Sequence, residues 1–249
     1  MKLYIMNCGQ MITPDGNILA DFNTEQLRLV LPVSAYLIEH PGQGLILIDT
    51  GFEMGHLSAE MKAGICMSPL QRIRCQLARL GYRAEDVRHV LLSHLHFDHA
   101  GQTADFPHAV FHMRKSEWSA AIPPSRGDYL PADYAQLAQA RFDYLPEDED
   151  VDLFGDGSIV CLDTKGHSPG HTSFLISLEH TGRVLLTIDA AHMPQYFETD
   201  RYYQDAWNVE AACASIDKLK KLAATADWVV FGHDPAVLSK ARKLPEYYD

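Results

Sequence analysis

The stretch SHLHFDHAG, residues 93–101, places three histidines and one aspartate within six positions, from His94 to His99. It follows directly on the apolar run VRHVLLS, residues 87–93, which is typical of a short buried strand. We therefore expect the cluster to occupy a loop at a strand end, where functional side chains are commonly presented. The fold must therefore place the end of a buried strand beside a site rich in metal-ligand groups.

Imidazole and carboxylate are the groups that zinc and its first-row neighbours bind in proteins. Four ligands from one short loop cannot all surround one ion, because consecutive side chains diverge. We expect His94 and His96 to converge on one metal ion, while Asp98 and His99 point toward a second. Each ion then needs further ligands from elsewhere in the chain.

Three downstream segments offer such ligands. TKGHSPGH places His167 on a turn after a predicted strand, VLLTIDA ends a strand at Asp189, and VVFGHD ends another at His233. Taken alone, each is more typical of a structural histidine or of an aspartate that caps a turn. Together with the first cluster they become candidate ligands.

The predicted strands and helices alternate along the chain. Apolar runs predict strands, and the strand segments are KLYIMN, VSAYLIEH, GLILIDTG, VRHVLLS, 109–113, 158–163, 172–178, 183–189 and DWVVFGHD. A helix is predicted over 68–82 with Ser68 as N-cap and Leu70 on its inner face, and another over 208–226 with Asn208 as N-cap. This order indicates a layered α/β sandwich, and the lack of repeats or linkers indicates one domain over residues 1–249.

Composition limits the possible partners and locations. A formal net charge of −12 argues against binding to nucleic acid or to anionic membrane surfaces. No run approaches the roughly 18 apolar residues of a membrane span, and the N-terminus does not resemble a secretory signal. Five scattered cysteines without a CxxC pair suggest reduced thiols, so we expect a cytoplasmic protein.

HxHxDH, with His, Asp and His at later strand ends, resembles the metallo-β-lactamase superfamily. GHSPGH, LLTIDA, FGHD and the closing PEYYD are similar in order and spacing to its N-acyl-homoserine lactonase subgroup. The likeness covers nearly the whole chain and is weakest over 53–68 and 119–150. It implies the αββα four-layer sandwich of the metallo-β-lactamase fold.

The resemblance also implies a ligand set and a reaction. His94, His96 and His167 would hold one divalent ion, Asp98, His99 and His233 the other, and Asp189 would bridge both. The expected ions are zinc, although the same ligands accept Mn, Fe or Co. In such two-metal sites a shared hydroxide attacks the ester carbonyl. Here the expected substrate is an N-acyl-homoserine lactone, a bacterial quorum-sensing signal, with Asp98 passing a proton to the ring alkoxide.

One position departs from the lactonases, which usually carry a tyrosine three residues after the bridging aspartate. Here that position is His192. Its ring N–H can donate to a developing oxyanion. Alternatively, the change alters the preferred substrate or leaves the role to Tyr196 or to water. Phe97 either lines the substrate pocket or only packs in the interior, and Asp49 either orients a ligand imidazole or bonds its own turn.

Other readings stay open. Another lactonase or esterase of this fold, acting on a pyridoxolactone-like lactone or a phosphotriester, is the nearest alternative, and a non-catalytic metal-binding sensor belongs to a different class. Redox di-iron relatives are disfavoured because they carry a carboxylate where this chain has His96. The expected partner is a small-molecule lactone or ester, and a homo-oligomer is possible.

Several remaining positions have two interpretations. His171 is more typical of a strand start than of a ligand. Residues 56–70 are either a surface helix that buries Met61 and Met67 or an adaptable apolar wall for an acyl chain. The acidic segment 146–152 is expected to be a solvated loop, and His112 is expected to be solvated.

Overall fold

The computed structural model describes residues 1–14, 28–198 and 206–249. Its first β-sheet has seven strands: β1 (Lys2–Pro14), β2 (Arg28–His40), β3 (Gly44–Ile48), β4 (Ile65–Cys66), β5 (Val87–Leu91), β6 (Val110–Arg114) and β7 (Arg141–Leu145). They lie in the order β4-β1-β2-β3-β5-β6-β7. The pairs from β3 through β5 and β6 to β7 are parallel, whereas β1, β2 and β3 are antiparallel neighbours.

The second sheet has five strands: β8 (Val151–Asp152), β9 (Ile159–Asp163), β10 (Thr172–Leu178), β11 (Gly182–Ile188) and β12 (Trp228–Phe231). They lie in the order β12-β11-β10-β9-β8. Strands β11 and β12 are parallel, and the other neighbours are antiparallel.

The described residues form seven α-helices. They are α1 (Ala59–Ala63), α2 (Ile73–Arg79), α3 (Lys115–Ala121), α4 (Pro131–Tyr134), α5 (Gln195–Glu198), α6 (Val209–Ala223) and α7 (Pro235–Lys240). Ile73 and Leu77 of α2 pack on the outer side of the first sheet, and Leu219 of α6 packs on the outer side of the second. Between the sheets, Ile38 and Phe174 belong to one shared apolar core. The four layers confirm the predicted αββα sandwich.

Several strands end at the same edge of the sandwich. The parallel strands β3 and β5 end at Ile48 and Leu91, and the backbone N–H of Asp49 donates to the carbonyl of Leu91 at 2.9 Å. Thr172, at the start of β10, donates its backbone N–H to Ser93 at 3.0 Å, which ties the second sheet to this edge. The loops that leave these strands are therefore close neighbours.

The helix predicted over 68–82 is wrong in its first turn. Residues Pro69–Gln71 form a separate 3₁₀ turn, capped by the hydroxyl of Ser68, and α2 begins only at Ile73. The backbone N–H of Ile73 donates to the side chain of Gln102 at 3.0 Å, so a residue distant in sequence starts the helix. Leu70, predicted to face inward, is 70% exposed as a result.

Other local predictions from the sequence are confirmed at some residues and wrong at others. Asn208 caps α6 by accepting from the backbone N–H of Ala211 at 2.9 Å, as predicted. The surface helix within 56–70 shrinks to α1, none of whose residues is buried, while Met67 is partly buried against the core. His112 is not solvated but 2% exposed, because it lies on β6 and bonds His89 between the sheets.

The acidic segment 146–152 is a loop except for its last two residues, which form β8 beside β9. All five cysteines are free. Within residues 1–14, 28–198 and 206–249, no helix is long and apolar enough to cross a membrane.

Candidate metal centre

The histidine-rich loop after β5 is buried and tightly folded. The side chains of His94, His96, Asp98 and His99 are all at most 5% exposed. Backbone bonds hold the loop, since the N–H of His99 donates to the carbonyl of His96 at 3.0 Å and its own carbonyl accepts from Thr50 at 2.7 Å. A Cβ at Gly101 would lie 2.2 Å from the backbone nitrogen of Glu53, so only glycine lets the two loops approach this closely.

Three histidines form the first ligand group: His94, His96 and His167. One ring nitrogen from each lies within 4.8 Å of the others. The Nε2 atom of His167 is 3.0 Å from Nδ1 of His96, and the ring of His94 is 4.5 Å from that of His96. His167 comes from the loop between β9 and β10, so the two sheets contribute jointly to this group.

The second ligand group consists of Asp98, His99, Asp189 and His233, whose ligand atoms also lie within 4.8 Å of one another. Nε2 of His99 is 3.4 Å from the carboxylate of Asp98, and Nε2 of His233 is 3.6 Å from it. Asp189 directly follows β11, and His233 follows the parallel strand β12 after one glycine. This sheet topology brings together residues that are more than forty positions apart.

Asp189 lies between the two groups. Its Oδ2 is 3.4 Å from Nε2 of His167 and 3.8 Å from Nε2 of His94. Its Oδ1 is 3.3 Å from Nε2 of His99 and 3.2 Å from Nε2 of His233. Nε2 of His233 is also 3.3 Å from Oδ2, so Oδ2 reaches both groups and Oδ1 lies against the second. The carboxylate as a whole therefore lies between the groups, where a bridging ligand is needed.

Burial and charge act in opposite directions within the cluster. Burial lowers the pKa of His94 and of His167 well below the usual value. Burial would also lower the pKa of His99, but the carboxylates of Asp189, Asp98 and Asp49 together raise it well above that value. Conversely, burial opposes ionisation of Asp189, but the neighbouring imidazoles hold its pKa well below the usual value.

The donor set fits divalent metal ions. Buried imidazole nitrogens normally find hydrogen-bond partners. Yet the Nε2 atoms of His94, His96 and His99 have none among the residues that the structure describes. Nitrogen and carboxylate ligands in this number suit zinc, manganese, iron or cobalt. These three nitrogens therefore lie outside the hydrogen-bond network of the described residues, in groups that could hold a metal ion.

Asp49 and Ser93 determine which ring nitrogen carries the hydrogen in two of these histidines. The carboxylate of Asp49 accepts from Nδ1 of His99 at 2.9 Å and from the hydroxyl of Ser93 at 2.8 Å. Because that hydroxyl donates to Asp49, its oxygen is left to accept from Nδ1 of His94 at 2.9 Å. In the neutral rings that metal binding requires, the hydrogens therefore lie on Nδ1, and the Nε2 atoms turn lone pairs toward the cluster.

The residues proposed to contact substrate lie around the cluster. Nε2 of His192 is 3.3 Å from Oδ2 of Asp189, and burial lowers its pKa. Tyr196 is 4% exposed, with its ring 5.3 Å from that of His192. Phe97 is half-buried and stacks on Phe52 at 5.9 Å.

Residues 28–233 match the metallo-beta-lactamase superfamily. The chain belongs to this superfamily. An N-acyl homoserine lactonase, AttM, of Azorhizobium caulinodans is 34% identical over 273 aligned positions, which cover 100% of this chain and 99% of that protein. The N-acyl homoserine lactonase AiiA of Bacillus thuringiensis subsp. kurstaki is 31% identical, over 99% of this chain and 98% of the other.

Solved structures agree in fold along the same length. A crystal structure of a quorum-quenching N-acyl homoserine lactone lactonase has a TM-score of 0.86 at 31% identity, covering 99% of this chain and 98% of that one. Another, of an N-acyl homoserine lactone hydrolase, holds the product N-hexanoyl-L-homoserine at the catalytic metal centre. It has a TM-score of 0.85 at 30% identity, with coverages of 99% and 98%.

Two residues that support the site carry no signal in the sequence. Ile188 adopts a φ of 49°, which is strained for a β-branched residue, directly before Asp189. Thr187 holds this bend by donating its hydroxyl to the carbonyl of Ala191 at 2.7 Å. His171 is occupied by Thr164 and by the backbone N–H of Asp189, so it supports the site without joining either ligand group.

Proposed function

We propose that this protein is a metal-dependent hydrolase that opens the lactone ring of N-acyl homoserine lactones. The observation that carries the proposal is the pair of adjoining buried ligand groups that share Asp189. Similarity along the whole chain to N-acyl homoserine lactonases supports the choice of substrate.

Two divalent ions, for which we propose zinc, would supply a hydroxide at neutral pH and polarise the ester carbonyl. His94, His96 and His167 would hold one ion, and Asp98, His99 and His233 the other, with Asp189 between them. The chain's own contribution is to present these atoms at fixed spacing in a buried site.

Three residues act on the substrate in this proposal. After the hydroxide has added to the carbonyl, the carboxylate of Asp98 would take up its proton and pass it to the ring oxygen as the ester bond breaks. A ring N–H of His192 donates to the substrate oxygen that gains negative charge. Phe97, stacked on Phe52, forms an apolar wall for the acyl chain, and Tyr196 supports His192.

Free cysteines throughout support a reducing, cytoplasmic location. There the enzyme would degrade quorum-sensing signals. A small-molecule lactone is the proposed partner, and assembly into a homo-oligomer stays a prediction from the sequence.

The test is a panel of rates with the zinc-loaded protein. Homoserine lactones of graded acyl length are compared with a γ-lactone, a pyridoxolactone, a phosphotriester and a thioester. Ring opening is followed by proton release, and metal content by elemental analysis. We expect about two ions per chain and the highest kcat/KM on the acyl homoserine lactones. A preference for the phosphotriester or pyridoxolactone would reassign the substrate, and bound metal without turnover would indicate a sensor.

A further inference from the structure

The carboxylate of Glu117, on α3, is fully buried and joins two loops of the metal centre. Its Oε1 accepts from the backbone N–H of Leu95 at 3.0 Å and from the hydroxyl of Tyr129 at 2.9 Å. Its Oε2 accepts from the hydroxyl of Ser168 at 2.7 Å and from the backbone N–H of Gly170 at 2.9 Å. Oε1 thus holds the loop of Leu95 and the segment around Tyr129, and Oε2 holds the loop of Ser168 and Gly170.

These bonds act next to the first ligand group. Leu95 lies between His94 and His96, and Ser168 directly follows His167. A rigid carboxylate that holds both loops therefore fixes the separation between the ligands of one loop and the ligand of the other. The four bonds include none to Asp98, His99, Asp189 or His233.

Two further contacts show that the arrangement is tightly built. The ring of Tyr129 is 4.8 Å from the ring of His96, so the hydroxyl bond to Glu117 also supports that imidazole. A Cβ at Gly170 would lie 2.6 Å from the Cβ and the backbone nitrogen of Glu117. Glycine at this position lets the second loop reach the carboxylate.

We propose that Glu117 is a positioning residue that sets the spacing of the first ligand group. The inference rests on the proposed metal centre, and it assigns different roles in that centre to Glu117 and Asp49. Glu117 places His94, His96 and His167 by holding the loops that carry them. Asp49 instead bonds the ring nitrogen of His99 directly and reaches that of His94 through the Ser93 hydroxyl.

The test is Glu117→Gln in the full-length protein. Glutamine keeps the shape but brings an NH₂ group against two donors, so one loop loses its acceptor. Metal-free protein is titrated with zinc against a chromophoric chelator. We expect one of the two ions to bind at least about tenfold more weakly, while the affinity for the other is retained. Equal weakening of both ions, or of neither, would overturn the proposal.

Coupling identifies which ion is affected. Glu117→Gln added to His96→Ala should cost little further zinc affinity, because both changes act on the first group. Added to His233→Ala, it should cost the full tenfold or so. The reverse pattern would place the effect of Glu117 at the second group and contradict the inference.

A milder variant keeps the test decisive if Glu117→Gln does not fold. Ser168→Ala removes one of the four bonds and should weaken the same ion by a smaller factor. Ser119→Ala, on the same helix, removes only an exposed bond to the carbonyl of Lys115 and serves as the control. Unchanged zinc affinities in Ser168→Ala would count against the proposal. Wild-type protein that binds no zinc would instead refute the proposed function itself.

Discussion

Replacing Asp49 with asparagine probes how the protein prepares its ligands for metal. Asn is one of the few residues that tolerate a left-handed backbone, which the φ of 59° at this position requires. The side chain keeps its size, and the change exchanges one acceptor oxygen for an NH₂ donor. Any effect therefore comes from hydrogen bonding and from the loss of the negative charge rather than from packing.

The structure sets the direction of that effect. The backbone N–H of Ser93, 2.8 Å from Oδ1, keeps the amide oxygen on its side. The new NH₂ group then faces the Ser93 hydroxyl and Nδ1 of His99, and both must accept. A neutral His99 ring then carries its proton on Nε2, and the Ser93 hydroxyl turns to donate to Nδ1 of His94. Both Nε2 atoms then carry hydrogens where an ion needs lone pairs.

The expected losses of stability and of zinc affinity follow from the hydrogen bonds that the substitution exchanges. Hydrogen bonds to a charged group contribute about 1.5–3 kcal/mol and neutral ones about 1 kcal/mol, so two exchanges should lower the free energy of unfolding of metal-free protein by about 2 kcal/mol. Loss of an outer partner weakens metal binding about 10–100-fold. Since His94 and His99 belong to different groups, both ions should be affected, by about 1.4–2.8 kcal/mol each.

Urea unfolding of metal-free protein and zinc titration against a chelator measure the two quantities. Asp86→Asn is the control, because Asp86 is an exposed carboxylate that accepts from the backbone N–H of Arg83 at 2.8 Å. Wild-type zinc affinity for both ions in Asp49→Asn would refute the assignment of ring protonation to Asp49.

Three other outcomes are expected. His192→Ala should lower kcat/KM at least about tenfold with little change in zinc affinity, whereas unchanged kinetics would remove His192 from the mechanism. Removal of metal with a chelator should abolish turnover, and added zinc should restore it; turnover without metal would contradict the proposed function. Burial raises the pKa of Asp133 to about 6, although a bond from His56 partly opposes the rise. The folded state thus binds this proton more tightly than the unfolded state does. The stability of wild type relative to Asp133→Asn should therefore rise by up to about 3 kcal/mol as pH falls from about 7 to 4, and a flat difference would contradict the shift.

Much of the fold could be predicted from the sequence because its signals are local. Apolar runs of strand length are buried on both faces of the sheets, so they stand out without knowledge of their neighbours. Asn208 caps α6 through contacts within three residues, and such caps can be recognised in sequence. The helix over 68–82 was wrong for the opposite reason, because Gln102, distant in sequence, decides where α2 begins.

The residues of the candidate site also differ in whether their signals are local in the sequence. Spacing in SHLHFDHAG, together with the strand ends at His167, Asp189 and His233, was enough to propose seven ligands, and the structure brings those side chains together. Their function as ligands remains a prediction. Glu117 could not be found this way, since nothing near it in the sequence resembles a site.

The sequence by itself determined which side chains this protein can offer to a metal ion and which segments form strands, because both depend on neighbouring residues. Only the tertiary structure decided how those side chains are oriented. Asp49 orients a ring fifty positions away, and Glu117 joins loops that are separated by more than seventy. The physical reason is that hydrogen bonds and close packing depend on distance in space, which a linear pattern does not contain.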